Sequence, residues 1–221
     1  MGSQGASYAF AGLAVLVMTA YSCGIDPAEE KWEGIGGEIY KVSDLFERSA
    51  DSDEYRLQTN EEKYTGLYGS SLWTPLEGSL QNPFDSWEAE VTKISGEQNA
   101  GYGMVLCQQR DAEGVESMLT VMIRVDGYYQ IGKVGRKEYS KLAGWKRSNN
   151  LREGYGISNR IKVEREGDEF VLIFNGVNTE RFEDEKEPVH KYGAQGFLAV
   201  ISPLERFPSV PVDIRFKEIK R

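Results

Sequence analysis

The sequence predicts an all-β protein, a two-sheet antiparallel β-sandwich preceded by an N-terminal signal helix. Three observations lead there. Apolar residues recur with a period of two rather than about 3.6, turn dipeptides separate the alternating runs, and no sustained amphipathic helical stretch interrupts them. The run Trp87-Glu88-Ala89-Glu90-Val91-Thr92-Lys93-Ile94 reads as a half-buried strand. Leu119 to Val125 and Tyr128 to Val134 flank Asp126-Gly127, a strong hairpin signal. Ile161-Lys162-Val163-Glu164 meets Glu169 to Phe174 across Arg165-Glu166-Gly167-Asp168. Asn175-Gly176 then turns the chain into Val177 to Phe182, a third strand of one meander. Gly196 to Ile201 and Val210 to Ile219 add two more. Antiparallel strands at spacings of about 8–12 residues fold as a sandwich or barrel.

The chain of 221 residues suits one such domain of roughly 150–200 residues with an appendage. The appendage is at the start. No Asp, Glu, Lys or Arg precedes Asp26, and Tyr8 to Ala20 is an apolar run with the length of a signal h-region, about 7–15 residues. A spanning helix needs about 20 apolar residues, and Gly12 and Thr19 interrupt this run. Ala20-Tyr21-Ser22-Cys23-Gly24 then resembles a relaxed bacterial lipobox, which implies diacylation of Cys23, palmitate among the acyl chains, and cleavage before it. The expected organisation is therefore a signal peptide over residues 1–22, a polar tether over 23–36 and the sandwich over 37–221. The expected location is a bacterial cell envelope, anchored to the membrane through lipidated Cys23 with the body outside the cytoplasm.

Composition narrows the partners. Lys and Arg number 26 against 35 Asp and Glu, a net charge of −9, so no basic face is available to neutralise nucleic-acid phosphates. One histidine excludes a multi-histidine metal site, and two cysteines exclude a disulfide framework. Asp51-Ser52-Asp53, within an acidic stretch from Glu47 to Glu54 that reads as a solvated loop, lacks the further ligands and glycine of a calcium loop. Gly101-x-Gly103 lacks the third glycine and the helix of a dinucleotide site. No cofactor and no metal is expected. Cys107, inside the apolar run Gly103-Met104-Val105-Leu106-Cys107, reads as a buried structural thiol.

The order of motifs resembles the concanavalin A-like jelly roll, and most nearly the bacterial 3-keto-disaccharide hydrolase domain. Ser43-Asp44-Leu45-Phe46, Asn99-Ala100-Gly101-Tyr102-Gly103-Met104, Trp145-Lys146-Arg147-Ser148 and Asn159-Arg160-Ile161-Lys162-Val163 carry the resemblance. Ile173-Phe174-Asn175-Gly176-Val177 and Gly193-Ala194-Gln195-Gly196-Phe197 extend it toward the C-terminus. It departs at the closing strand, Phe216-Lys217-Glu218-Ile219, where the family often has Phe-Asp-Asn-Phe. The resemblance implies a lectin-like sandwich, and sandwiches host binding modules and hydrolases alike.

Two sets of residues can carry function. Sugars present C–H faces that stack on aromatics while polar neighbours bond their hydroxyls. Tyr128, beside the Asp-Gly turn, and Trp145, Arg147 and Tyr155, in a Gly-rich, locally basic loop over 144–156, are the ligand-binding candidates. Glycoside hydrolysis instead needs two carboxylates flanking the bond. Glu88 and Glu90 share one face of a strand and are the catalytic candidates, with a solvated outer face as the plainer alternative. His190, outside any nucleophile motif, reads as a loop residue. The leading expectation is a non-catalytic carbohydrate-binding or structural module. The alternatives are a 3-keto-disaccharide-type glycoside hydrolase and a protein-binding adhesin, with a glycan or an envelope protein as partner.

Overall fold

The computed structural model describes residues 31–34, 37–40, 45–49, 53–59, 67–76, 83–110, 112, 116–135, 138–184 and 190–220. The signal segment, Cys23 and most of the tether lie outside the described residues. Strands are numbered in chain order. One sheet has the order β10 (Glu138–Arg147), β9 (Tyr128–Gly135), β8 (Glu116–Ile123), β7 (Tyr102–Arg110), β14 (Ala194–Val200), β5 (Ser71–Pro75). The other has the order β13 (Val177–Glu183), β12 (Glu169–Phe174), β11 (Asn159–Glu166), β6 (Ser86–Ser95), β15 (Val212–Glu218), β4 (Glu54–Thr59), β3 (Phe46–Arg48). Every pairing is antiparallel, and β1 (Lys31–Gly34) pairs separately with β2 (Gly37–Tyr40). Among the described residues no helix is long and apolar enough to cross a membrane.

The turns form where their residue types place them. Asn175 at φ 51° and Gly176 at φ 84° supply the two left-handed positions that a tight hairpin between β12 and β13 requires. The core lies between the two sheets and is built on an aromatic seam. Phe197 of β14 stacks on Phe216 of β15 at 4.9 Å and meets Trp87 of β6 at 5.5 Å. Tyr129 of β9 approaches Phe174 of β12 edge-on at 5.2 Å. Cys107 is fully buried, and burial pushes its thiol up to about 12, as expected of a structural cysteine.

Two sequence expectations need correcting. Trp145 and Arg147 stand on β10, not in a loop. This edge strand carries two register shifts against β9, and a side chain at Gly144 would face open space, so its pattern does not alternate cleanly. The acidic stretch from Glu47 to Glu54 is only partly loop, since Glu47 and Arg48 belong to β3 and Glu54 opens β4. An edge strand with solvated sides carries charge without ceasing to be a strand. Strand β6 is half-buried as expected, and its inward and outward residues alternate straight through Lys93, placing a lysine, wholly buried, where the core wants an apolar residue.

The outer face of the six-stranded sheet is apolar as well. Trp73, Val105, Met118, Met122, Val134 and Leu198 form a second buried cluster there, away from the inter-sheet core. Cα atoms of β1 come within 8 Å of β8, and those of β2 within 8 Å of β5. Because β7 and β14 lie between β8 and β5, the hairpin crosses this face. Its first strand begins inside the segment expected to be tether.

Candidate functional site

The connections that meet at one end of the sandwich include β6–β7 (96–101), β8–β9 (124–127), β10–β11 (148–158), β12–β13 (175–176) and β14–β15 (201–211). The β10–β11 loop is pinned between its neighbours, Gly154 N donating to Val125 O at 2.7 Å and Gly156 N to Lys93 O at 2.8 Å. Gly154 at φ 114° and Gly156 at φ 72° allow the chain to bend there.

Toward the six-stranded sheet, the Arg124 guanidinium lies 5.0 Å from the Tyr128 ring and 5.2 Å from the Trp145 ring. Cation–π attraction and an ion pair to Asp126 hold it there, and it donates to Asn99 Oδ1 at 2.6 Å. Arg147, paired in register with Tyr128, reaches out to Glu153 at 2.6 Å. Three of the four ligand-binding candidates thus share one patch around an arginine that the sequence did not single out.

Tyr155, the fourth, lies on the other side of the β6–β7 loop. Its hydroxyl donates to Gly96 O at 2.6 Å, which fixes a ring that remains 45% exposed. The ring walls a cavity of about 210 Å3 lined also by Gln98, Glu205, Arg206 and Val210. Glu205 is buried; its Oε2 accepts from Glu97 N at 2.8 Å, while Oε1 has no hydrogen-bond partner among the described residues. Beneath it, Lys93 Nζ donates to Glu97 O at 2.6 Å and Ala100 O at 3.2 Å. Burial lowers this lysine to about 8, against the opposing pull of Glu205 and Glu97. Burial also raises the Glu205 carboxyl, over the opposing hydrogen bond from Glu97 N and the charge of Lys93. A carboxyl group with a spare oxygen beside a fixed aromatic ring can take a hydroxylated ligand, the oxygen bonding hydroxyls and the ring covering an apolar face.

Glu88 and Glu90 lie elsewhere, on the outer face of the seven-stranded sheet, since Trp87, Ala89 and Val91 between them point into the core. Glu88 pairs with Arg160 at 2.9 Å, and Glu90 stands opposite Arg160 and Lys217 in the register. His190 is not a free loop residue: it is fully buried and bound to Asp184. Sequence reasoning missed Lys93, Glu205 and Arg124. Lys93 had a signal, the break in the alternation of β6, whereas Glu205 sits in a stretch with no period at all.

No family model matches the chain, and no curated protein sequence matches it. Solved structures do. A native glycosidic hydrolase superposes with a TM-score of 0.54 at 10% identity, covering 89% of this chain and 92% of that one. The β-glucanase of Bacillus licheniformis gives 0.52 at 8% identity over 90% and 95%. A glycoside hydrolase family 16 endo-glucanase from Bacteroides ovatus gives 0.50 at 8% identity over 82% and 88%. The chain has the concanavalin A-like jelly-roll fold, and at these identities the likeness establishes the fold alone.

Proposed function

We propose that this protein is a carbohydrate-binding envelope lipoprotein that holds a glycan at the loop end of its sandwich without cleaving it. One observation carries the reading: the half-exposed Tyr155 ring, locked by its hydroxyl, stands over a polar cavity that Glu205 also lines, with an unpartnered oxygen of that carboxyl buried at its wall. The Tyr128–Arg124–Trp145 patch, joined to this cavity through Asn99 and the β6–β7 loop, extends the surface along which further sugar units lie. Retaining hydrolysis needs carboxyl groups about 5–5.5 Å apart across a bond. Glu88 and Glu90 face away from every aromatic candidate, which favours binding over catalysis.

The test is calorimetric titration of the domain with β-glucan oligosaccharides, the class named by the two glucanases of like fold. Tyr155→Ala and Glu205→Gln should each weaken binding about tenfold, the loss of one stacking contact or one charge-assisted hydrogen bond. Wild-type protein that binds none of the panel, or variants that bind as wild type does, would refute it. The anchor is tested apart. Two acyl chains at Cys23, at about 0.8 kcal/mol per buried CH2, hold a protein on a bilayer stably. Cys23→Ala should lose palmitate labelling and leave the membrane fraction.

A further inference from the structure

The end of the sandwich opposite the loop cluster holds a second cavity, of about 370 Å3, lined by Arg165, Asp168, Phe170, Glu183, His190 and Lys191, with Asp184 behind them. His190 Nδ1 lies 2.8 Å from Asp184 Oδ2, and the His190 backbone N donates to the same oxygen at 2.7 Å. Lys133, reaching from the core side of β9, forms an ion pair with the other carboxylate oxygen. Burial alone would raise the Asp184 carboxyl, but the hydrogen bonds from His190 and Lys133 outweigh it and keep the group below the usual carboxylate range. A carboxylate oxygen only accepts, so Nδ1 carries the proton of this bond and Nε2 is the ring's remaining polar atom. That atom is buried and has no hydrogen-bond partner among the described residues. A buried polar atom left open in a native fold calls for a partner.

The rim supplies a second requirement. Arg165 and Lys191 both face Asp168, at 3.7 and 3.8 Å, outside hydrogen-bond range, and the Asp168 side chain is 92% exposed. Two cations thus share one loosely held carboxylate at the mouth. We propose that this cavity is a second binding site, for a hydroxylated carboxylate of the uronic-acid class. His190 Nε2 hydrogen-bonds a ligand hydroxyl, and the ligand carboxylate takes the place of Asp168 between Arg165 and Lys191. Phe170, stacked on Phe182 at 5.2 Å, is the apolar floor. The volume falls within the range of small-molecule sites, about 300–1,000 Å3.

The protein has one histidine, so its imidazole signals in a nitrogen–proton correlation spectrum belong to His190 without assignment. Titration with D-glucuronate should shift the Nε2 resonance saturably, while D-glucose leaves it in place. The double variant Arg165→Gln/Lys191→Gln should bind glucuronate at least about tenfold more weakly and keep the wild-type imidazole spectrum when free. Tyr155→Ala, at the other end, should bind glucuronate as wild type does, which separates this site from the β-glucan reading. An Nε2 resonance unmoved by glucuronate, one moved equally by glucose, or full affinity in the double variant would overturn the proposal.

Discussion

Each end of the sandwich buries a lysine beside a carboxyl group, and the two ends settle the charge in opposite ways. At the far end Lys133 bonds Asp184 directly, and His190 adds two more donors to the same carboxylate. At the loop end Lys93 spends its protons on the backbone oxygens of Glu97 and Ala100, and Glu205 bonds a backbone N–H instead. Direct pairing lowers the acid at one end, and separation lets burial raise the acid at the other. Asp184 therefore contributes stability that is present above its unfolded value of 3.8 and is lost as pH falls through its lower folded value. Glu205 runs the other way, its contribution complete below 4.5 and lost as pH rises through its higher folded value. A satisfied ion pair holds structure together; an unsatisfied carboxyl group keeps an oxygen for something else.

The sharpest way to break this contrast is Asp184→Ala, which strands a buried lysine and a buried imidazole together. It should cost about 3–5 kcal/mol of unfolding free energy, read as a lower urea midpoint. Glu205→Gln, which keeps an acceptor for Glu97 N, should cost far less, and equal losses would erase the distinction between the ends. Next comes Lys93→Met. Lys93 holds its proton less firmly folded, at about 8 against 10.5, so wild-type stability should rise relative to the variant between those values. The slope should reach about 1.4 kcal/mol per pH unit at most, measured by chemical unfolding below about pH 10, where tyrosines begin to ionise. A flat difference would mean that Lys93 is not buried as a charge. The smallest effect belongs to the solvated outer face. Glu88→Gln removes one ion pair to a half-exposed Arg160, should change stability by less than about 1 kcal/mol, and should leave oligosaccharide affinity unchanged.

How much of this the sequence revealed depended on whether the cause was local. Gly127 and the Asn175-Gly176 pair announce their hairpins because the backbone conformation is set by the residues themselves. β10 was hidden because an edge strand bends through bulges and its register follows β9. The aromatic candidates were legible by type, and three of them do meet, yet nothing local tells that Arg124 gathers them. Glu205 and His190 were invisible as site residues. Their burial is set by partners far along the chain, Glu97 for one and Lys133, through Asp184, for the other. Lys93 lay between these cases: the alternation faltered at the position where the core admits a charge.

The hairpin laid across β7 and β14 has a consequence for what the molecule reads. The broad side of the six-stranded sheet is crossed by the β1–β2 hairpin, so a polymer has no unobstructed trough on that side in which to lie lengthwise. The aromatic candidates sit instead at the narrow tip where the loops gather. On the proposed function, such a protein engages a glycan head-on, gripping chain termini or short branches rather than the middle of a strand.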